Sequence, residues 1–151
     1  MAEFTRNAIQ EVNPGAPVLL DTSIGCNKGY VYHRPDSGIV TLRGITNNPC
    51  ARFARYEVLF KGNIAVPTGG TVGPIAVAIA VDGEPEVVST SMSNPTAVDQ
   101  YNVAVCPLTV NVPIGCCAHI SVENVSVPAA AGGVAPAINV QNAILRVTRT
   151  A

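Results

Sequence analysis

Two histidines, His33 and His119, are the side chains of this sequence best suited to proton transfer near neutral pH. Ser37, Cys106, Asp36 and Asp99 are of the types from which a nucleophile–base–acid set is drawn, but no motif arranges them around either histidine. The sequence contains no GxSxG elbow, no HExxH and no phosphate-binding loop. Thr68-Gly69-Gly70-Thr71 is glycine-rich, yet neither a Lys-Ser/Thr pair nor a helical pattern follows it. It therefore reads as a tight connection between strands rather than an anion cradle. Asp82, Glu84 and Glu86 space three carboxylates at alternate positions, as an oxygen-ligand loop for calcium would. Pro85 and the shortness of the turn fit such a loop poorly, and a solvated hairpin tip is the plainer reading. Both histidines are read as isolated, no cofactor is implied, and the chain is expected not to be an enzyme.

The five cysteines, Cys26, Cys50, Cys106, Cys116 and Cys117, are odd in number and irregularly spaced. Adjacent Cys116 and Cys117 suit neither a bond to each other nor a zinc knuckle, which wants ligands two to four residues apart. They are expected to be small buried side chains in a reducing compartment. Asn124-Val125-Ser126 matches a glycosylation sequon, which has no meaning for a protein that stays in a cytoplasm.

Charge narrows the classes further. Net charge is −1, and the nine lysines and arginines are scattered, which argues against a nucleic-acid binder held through phosphates. Charged residues are 13% of the chain, about half the usual quarter. Interface cores are depleted in charge, so the deficit points to surface that another molecule covers. No run approaches the roughly 18 apolar residues that cross a bilayer, so no membrane partner is expected, and the N-terminus lacks the pattern of a signal peptide. Synthesis in a cytoplasm is expected.

The elements that must position these residues are strands. At 151 residues the chain fits one domain. Residues 1–12 read as a short helical turn or an extended arm, and Val18-Leu19-Leu20 as a first short strand. Residues 30–33 and 39–43 flank the turn Arg34-Pro35-Asp36-Ser37-Gly38, a hairpin pattern. From Arg52 onward, Ala54, Tyr56, Val58 and Phe60 alternate with polar residues and form the cleaner buried face. Gly62-Asn63 is expected to mark a bulge. Ile75-Ala76-Val77-Ala78-Ile79-Ala80-Val81 has no polar side chain, and its alanine face is expected to be an assembly surface. Residues 86–92 read as a strand, and 97–112 as a long strand that Pro107 assigns to an edge or bulge. Residues 117–122 and 138–149 follow, separated by a long loop. About eight to ten strands with turns every 8–12 residues or so, and no helical period, indicate an all-β jelly-roll sandwich.

The run YEVLFKGNIAVPTGGTVGPIAVAIAVDGE, with VNVPIGCCAHISVENVS and INVQNAILRV, resembles the jelly-roll head domains of the TNF/C1q-like type. FTRNAIQEVNPGAPVLLDTS and HRPDSGIVTLRGIT are similar to small structural proteins of tailed phages and prophages. The first resemblance implies a homotrimer. Two departures stand out: no collagen-like stalk, and an aromatic content of only 5%. The second resemblance implies a virion component.

These readings give residues 1–16 as an N-terminal arm and residues 17–151 as a single jelly-roll domain. Trimer packing is assigned to Tyr56, Val58, Phe60, Ile79, Tyr101 and Ile144, and capsid contact to Phe4, Arg6 and Ile9 of the arm. The expected function is a capsid decoration or head-fibre subunit on a phage virion, made in the host bacterial cytoplasm and partnered by itself and by the major capsid or another virion protein. The alternative is a trimeric module on a phage or bacterial surface that binds a glycan or receptor through loops 84–94 and 125–137.

Overall fold

A computed structural model describes residues 1–24, 29–128 and 130–150. The loop residues Gly25 and Cys26, and Ala129 of the long loop, lie outside them. Two antiparallel six-stranded sheets face each other. Among the described residues twelve strands are formed: β1 (Ala2–Arg6), β2 (Gln10–Val12), β3 (Thr22–Ile24), β4 (Val31–His33), β5 (Val40–Arg43), β6 (Phe53–Ala65), β7 (Ile75–Val81), β8 (Glu84–Pro85), β9 (Ser91–Ser93), β10 (Asn102–Pro113), β11 (Cys117–Asn124) and β12 (Ile138–Arg149). The first sheet runs β10-β6-β12-β1-β3, with β2 also on β12; the second runs β4-β5-β11-β7-β8, with β9 also on β7. This is the all-β jelly roll expected.

The core lies between the sheets and follows the period of two. Tyr56, Val58 and Phe60 of β6 and Leu145 and Val147 of β12 enter it from one side. Val40 and Leu42 of β5, Val77 and Ile79 of β7 and Ile120 of β11 enter it from the other. Four residues assigned to trimer packing, Tyr56, Val58, Phe60 and Ile79, are therefore consumed by the chain's own sandwich, each no more than 2% exposed. Alternation identifies which face is buried, but not whether the covering layer comes from the same chain.

The N-terminal arm is also corrected. Residues 2–6 pair in register with 143–147 of β12, and Phe4 is fully buried against His33, ring centroids 4.8 Å apart. Residues 10–12 pair with 138–140 of the same strand. Gln10 extends the fixation, since its amide donates to the Leu19 carbonyl and its oxygen accepts the Leu19 N–H, both at 2.9 Å. Of the three capsid-contact residues, Arg6 is half-buried and only Ile9, between the two strands, is exposed.

Other local expectations shift for identifiable reasons. Residues 18–20 form no regular strand; Leu20 makes a single bridge to Ser37. Val87–Ser89 is a turn of 3-10 helix instead of a strand, because the Ser89 hydroxyl donates to the Glu86 carbonyl at 2.7 Å and accepts the Ile79 N–H at 2.9 Å. The bulge is not at Gly62 but opposite it in β12, between Gln141 and Ile144, where Asn142 takes φ 54. Gly62 serves the Phe60 ring instead: a Cβ there would sit 2.9 Å from the ring's Cζ.

Candidate functional site

The residues weighed for a catalytic triad do not converge. His33 lies between Phe4 and the Ser37 carbonyl, which accepts from Nε2 at 2.8 Å. A carbonyl can only accept, so Nε2 carries the proton, and among the described residues the buried Nδ1 has no partner. The Ser37 hydroxyl accepts the Ile39 N–H at 3.0 Å. His119 is on β11, its side chain 3.0 Å from the Thr41 hydroxyl across the strand pair. Cys106 is buried in the sandwich near the Val77 carbonyl, and burial pushes its thiol up to about 11, partly offset by a hydrogen bond to Ser91. Such a thiol is a poor nucleophile at neutral pH.

Three cysteines expected to be buried are exposed: Cys50, Cys116 and Cys117. Cys50 falls in the β5–β6 loop, Cys116 in the β10–β11 turn, and Cys117 starts β11 on the side away from the core, where close packing does not reach. Asp82 and Gly83 both take positive φ, making a two-residue hairpin turn, and the Asp82 carboxylate accepts the His119 N–H at 3.0 Å. Among the described residues, no three His, Cys, Asp or Glu side chains are grouped to hold a metal ion. Asn124 of the sequon is 1% exposed, and its amide nitrogen donates to the Val12 and Pro136 carbonyls at 3.0 and 2.9 Å. It is a structural clasp with no free nitrogen for modification.

The informative features are surfaces. Ala76, Ala78 and Ala80 point away from the core yet are shielded, with Ser121 and Glu123 across from Ala80 and Ala78 on β11. They are the floor of the sheet, not its contact surface. Around Ala76 stand Pro74, Pro85, Val87, Met92 and Val127, enclosing an apolar groove of about 370 Å³. On the opposite side of the molecule, the outward positions of β6 and β10 carry Phe53, Leu59, Val103 and Val105, all exposed, with Pro107 directly across from Leu59. Met1, Leu59, Val88 and Pro107 line a broad groove of about 680 Å³, with Glu57 and Arg146 at its polar positions. Ile144 and Tyr101, the remaining residues assigned to trimer packing, are partly exposed; Ile144 is paired with Lys61 on β6. Of the six residues assigned to trimer packing, four face the core and two lie at the surface.

A third concavity opens among the loops at one end. The turn at residues 67–71 and the segment 134–137 enclose about 380 Å³ together with Glu11. Its residues are too far apart in sequence to be read as a set.

No protein-family model matches the sequence, and no curated protein matches it. Solved structures do. Eiger TNF from S. frugiperda superposes with a TM-score of 0.61 at 12% identity, over 100% of this chain and 92% of that one. The globular domain of the zebrafish complement 1qA protein gives a TM-score of 0.58 at 12% identity, over 97% of this chain and 94% of that one. A C-terminal domain of the sugar-binding protein EclA reaches only 0.43 at 15% identity, over 95% and 79%, too loose a superposition to argue from. The fold of this chain is the TNF/C1q-like jelly roll.

Proposed function

We propose that the chain is a non-enzymatic structural module that works as a homotrimer, associating through the outer face of the β10-β6-β12-β1-β3 sheet. The observation that carries this reading is the apolar strip of Leu59, Val103, Val105 and Pro107 on that face, beside the edge strand β10. The Ser91 hydroxyl accepts the Val105 N–H at 3.3 Å and caps part of the β10 edge, and Lys61 stands across from Val105, so the association is assigned to the exposed apolar side chains of the face and not to strand addition at the edge. The low charge of the chain agrees, and the TNF/C1q-like resemblance implies three copies. The absence of catalysis is supported by how these groups are engaged: His33 meets the Ser37 carbonyl rather than its hydroxyl, which holds the Ile39 N–H, while His119 and Cys106 lie on other strands, occupied by Thr41 and the Val77 carbonyl.

The place of action we propose is the surface of a phage particle, as a capsid decoration or head-fibre subunit held by the major capsid or another virion protein. Its support is the resemblance of residues 4–23 and 33–46 to small phage structural proteins. Three identical contacts per trimer would reinforce one another on a symmetric shell. Sedimentation at micromolar concentration is expected to give a trimer, and a stable monomer would overturn the assembly. Retention on purified capsids after gradient centrifugation is expected, and loss of the protein from them would overturn the virion assignment alone. The second reading, a glycan- or receptor-binding module, is favoured by the loop cleft.

A further inference from the structure

We infer that the cleft between residues 67–71 and 134–137 is a binding site for a neutral hydroxylated ring, the chemistry of an uncharged hexose unit. The inference rests on the binding-module reading and is independent of the trimer and of the virion.

The cleft is built rather than incidental. One wall is the β6–β7 turn, fixed by three hydrogen bonds: Gly70 N–H to the Pro67 carbonyl at 2.9 Å, Asp99 N–H to the Val66 carbonyl at 2.8 Å, and the Thr68 hydroxyl to the Asp99 carboxylate at 2.5 Å. Asp99 holds φ 55 while accepting that proton. The other wall is fixed by the buried Asn124 amide, which clasps the carbonyls of Pro136 and Val12, the latter adjacent to Glu11. Walls held this way lose little freedom when a ligand arrives.

The lining selects the ligand. Glu11 is the one ionisable side chain on it, and among the described residues no lysine or arginine pairs with Glu11. An unneutralised carboxylate repels phosphate, sulfate and acidic sugars, and it accepts two adjacent hydroxyls well. The Thr68 hydroxyl has given its proton to Asp99, so it faces a ligand as an acceptor. Thr71 offers a donor and acceptor, and Gly69, at φ +84, leaves open space where a side chain would stand, so backbone groups of the turn are reachable. Pro67 and Pro136 supply flat apolar surface for the C–H side of a ring. A volume of about 380 Å³ lies at the small end of ligand sites and admits one or two such rings. An extended peptide fits less well, since the wall at residues 67–71 is a turn closed on itself by the Gly70–Pro67 bond and offers no strand edge to pair with.

The test is a titration of the ¹⁵N-labelled full chain with glucose, galactose, mannose and N-acetylglucosamine, followed by amide chemical shifts. At least one is expected to give saturable shifts at residues 69–71 and 134–137, with a Kd of about 1 mM or weaker, as befits a single ring. Glu11→Gln, an exposed and isosteric change, is expected to weaken binding about tenfold, and Ala135→Trp to abolish it by filling the cleft. Unchanged shifts of β5 and β11 amides establish that each variant is folded. No saturable shift with any of the four sugars, shifts centred elsewhere, or equal binding of glucose 6-phosphate would overturn the assignment. Sedimentation behaviour is unaffected by any of these outcomes, so the trimer stands or falls separately.

Discussion

At the scale of single residues, buried polar groups carry the clearest consequences. The Tyr56 hydroxyl donates to the Arg43 carbonyl at 2.6 Å, with the Tyr30 carbonyl at 3.3 Å, and so ties β6 across the core to the end of β5. Tyr56→Phe keeps the ring and removes this bond, while the Arg43 and Tyr30 carbonyls keep the N–H groups of Ile45 and Arg43, so a loss of about 1 kcal/mol is expected in urea unfolding. Burial raises the Tyr56 hydroxyl pKa, against the lowering effects of the Arg149 guanidinium and the Arg43 carbonyl. The Cys106 thiol is raised further, from 9.0 to about 11. Below pH 9 the thiol is neutral in folded and unfolded chains alike, and its environment contributes in full. As pH rises from 9 to 11 the unfolded chain loses its proton first, so stability falls through that window. The loss is on the order of 2–3 kcal/mol, and Cys106→Ala is expected to remove that part of the alkaline decline in urea midpoints taken at pH 8, 10 and about 11, while lowering stability at pH 8.

At the scale of elements, β1 shows how far pattern reading reaches. Phe4 is fully buried, and its removal leaves a cavity over His33. Phe4→Ala is expected to cost about 3–5 kcal/mol. Deleting residues 1–12 is expected to unfold the sandwich rather than to release a folded domain from a partner, which circular dichroism and thermal melts would distinguish at once. The strand is hard to read because AEFTR is short, mixes Glu3 and Arg6 with one aromatic, and pairs with residues 143–147 at the far end of the chain. Strands β6, β7 and β11, by contrast, are legible because their alternation is long enough to define a face. Val87 and Val88 mislead in the opposite direction. They are β-branched yet 83% and 84% exposed, because the hydroxyl of the next residue, Ser89, satisfies the β7 backbone that a longer β9 would have paired. The loop cleft is illegible for a different reason: Glu11, residues 67–71 and residues 134–137 come together through the pairing of β12 with β2 and β6 and through hydrogen bonds of Asn124 and Asp99, which no local pattern announces.

At the scale of the whole molecule, the two outer faces are unequal. One side of the sandwich carries the strip of Leu59, Val103, Val105 and Pro107, while the other has a floor of shielded alanines. If the strip is where copies meet, a charge there must be desolvated on assembly. Leu59→Lys with Val105→Lys is expected to give a folded monomer, with sedimentation reduced and the thermal transition kept, because both side chains point away from the core. Retention of the wild-type assembly by that pair would move the contact elsewhere. The position of β12 has a separate consequence. It is flanked by β6 on one side and by β1 and β2 on the other, so the last strand of this sequence is the middle of its sheet. During translation β1 and β6 leave the ribosome long before the strand that joins them. Until residues 138–149 emerge, the nascent chain displays two unsatisfied strand edges and half a core. Completion of the sheet waits for residues 138–149, is dominated by contacts distant in sequence and is slow by that measure, and a chaperone that shields β6 in the interval would raise the yield of folded protein more than one acting on the loops.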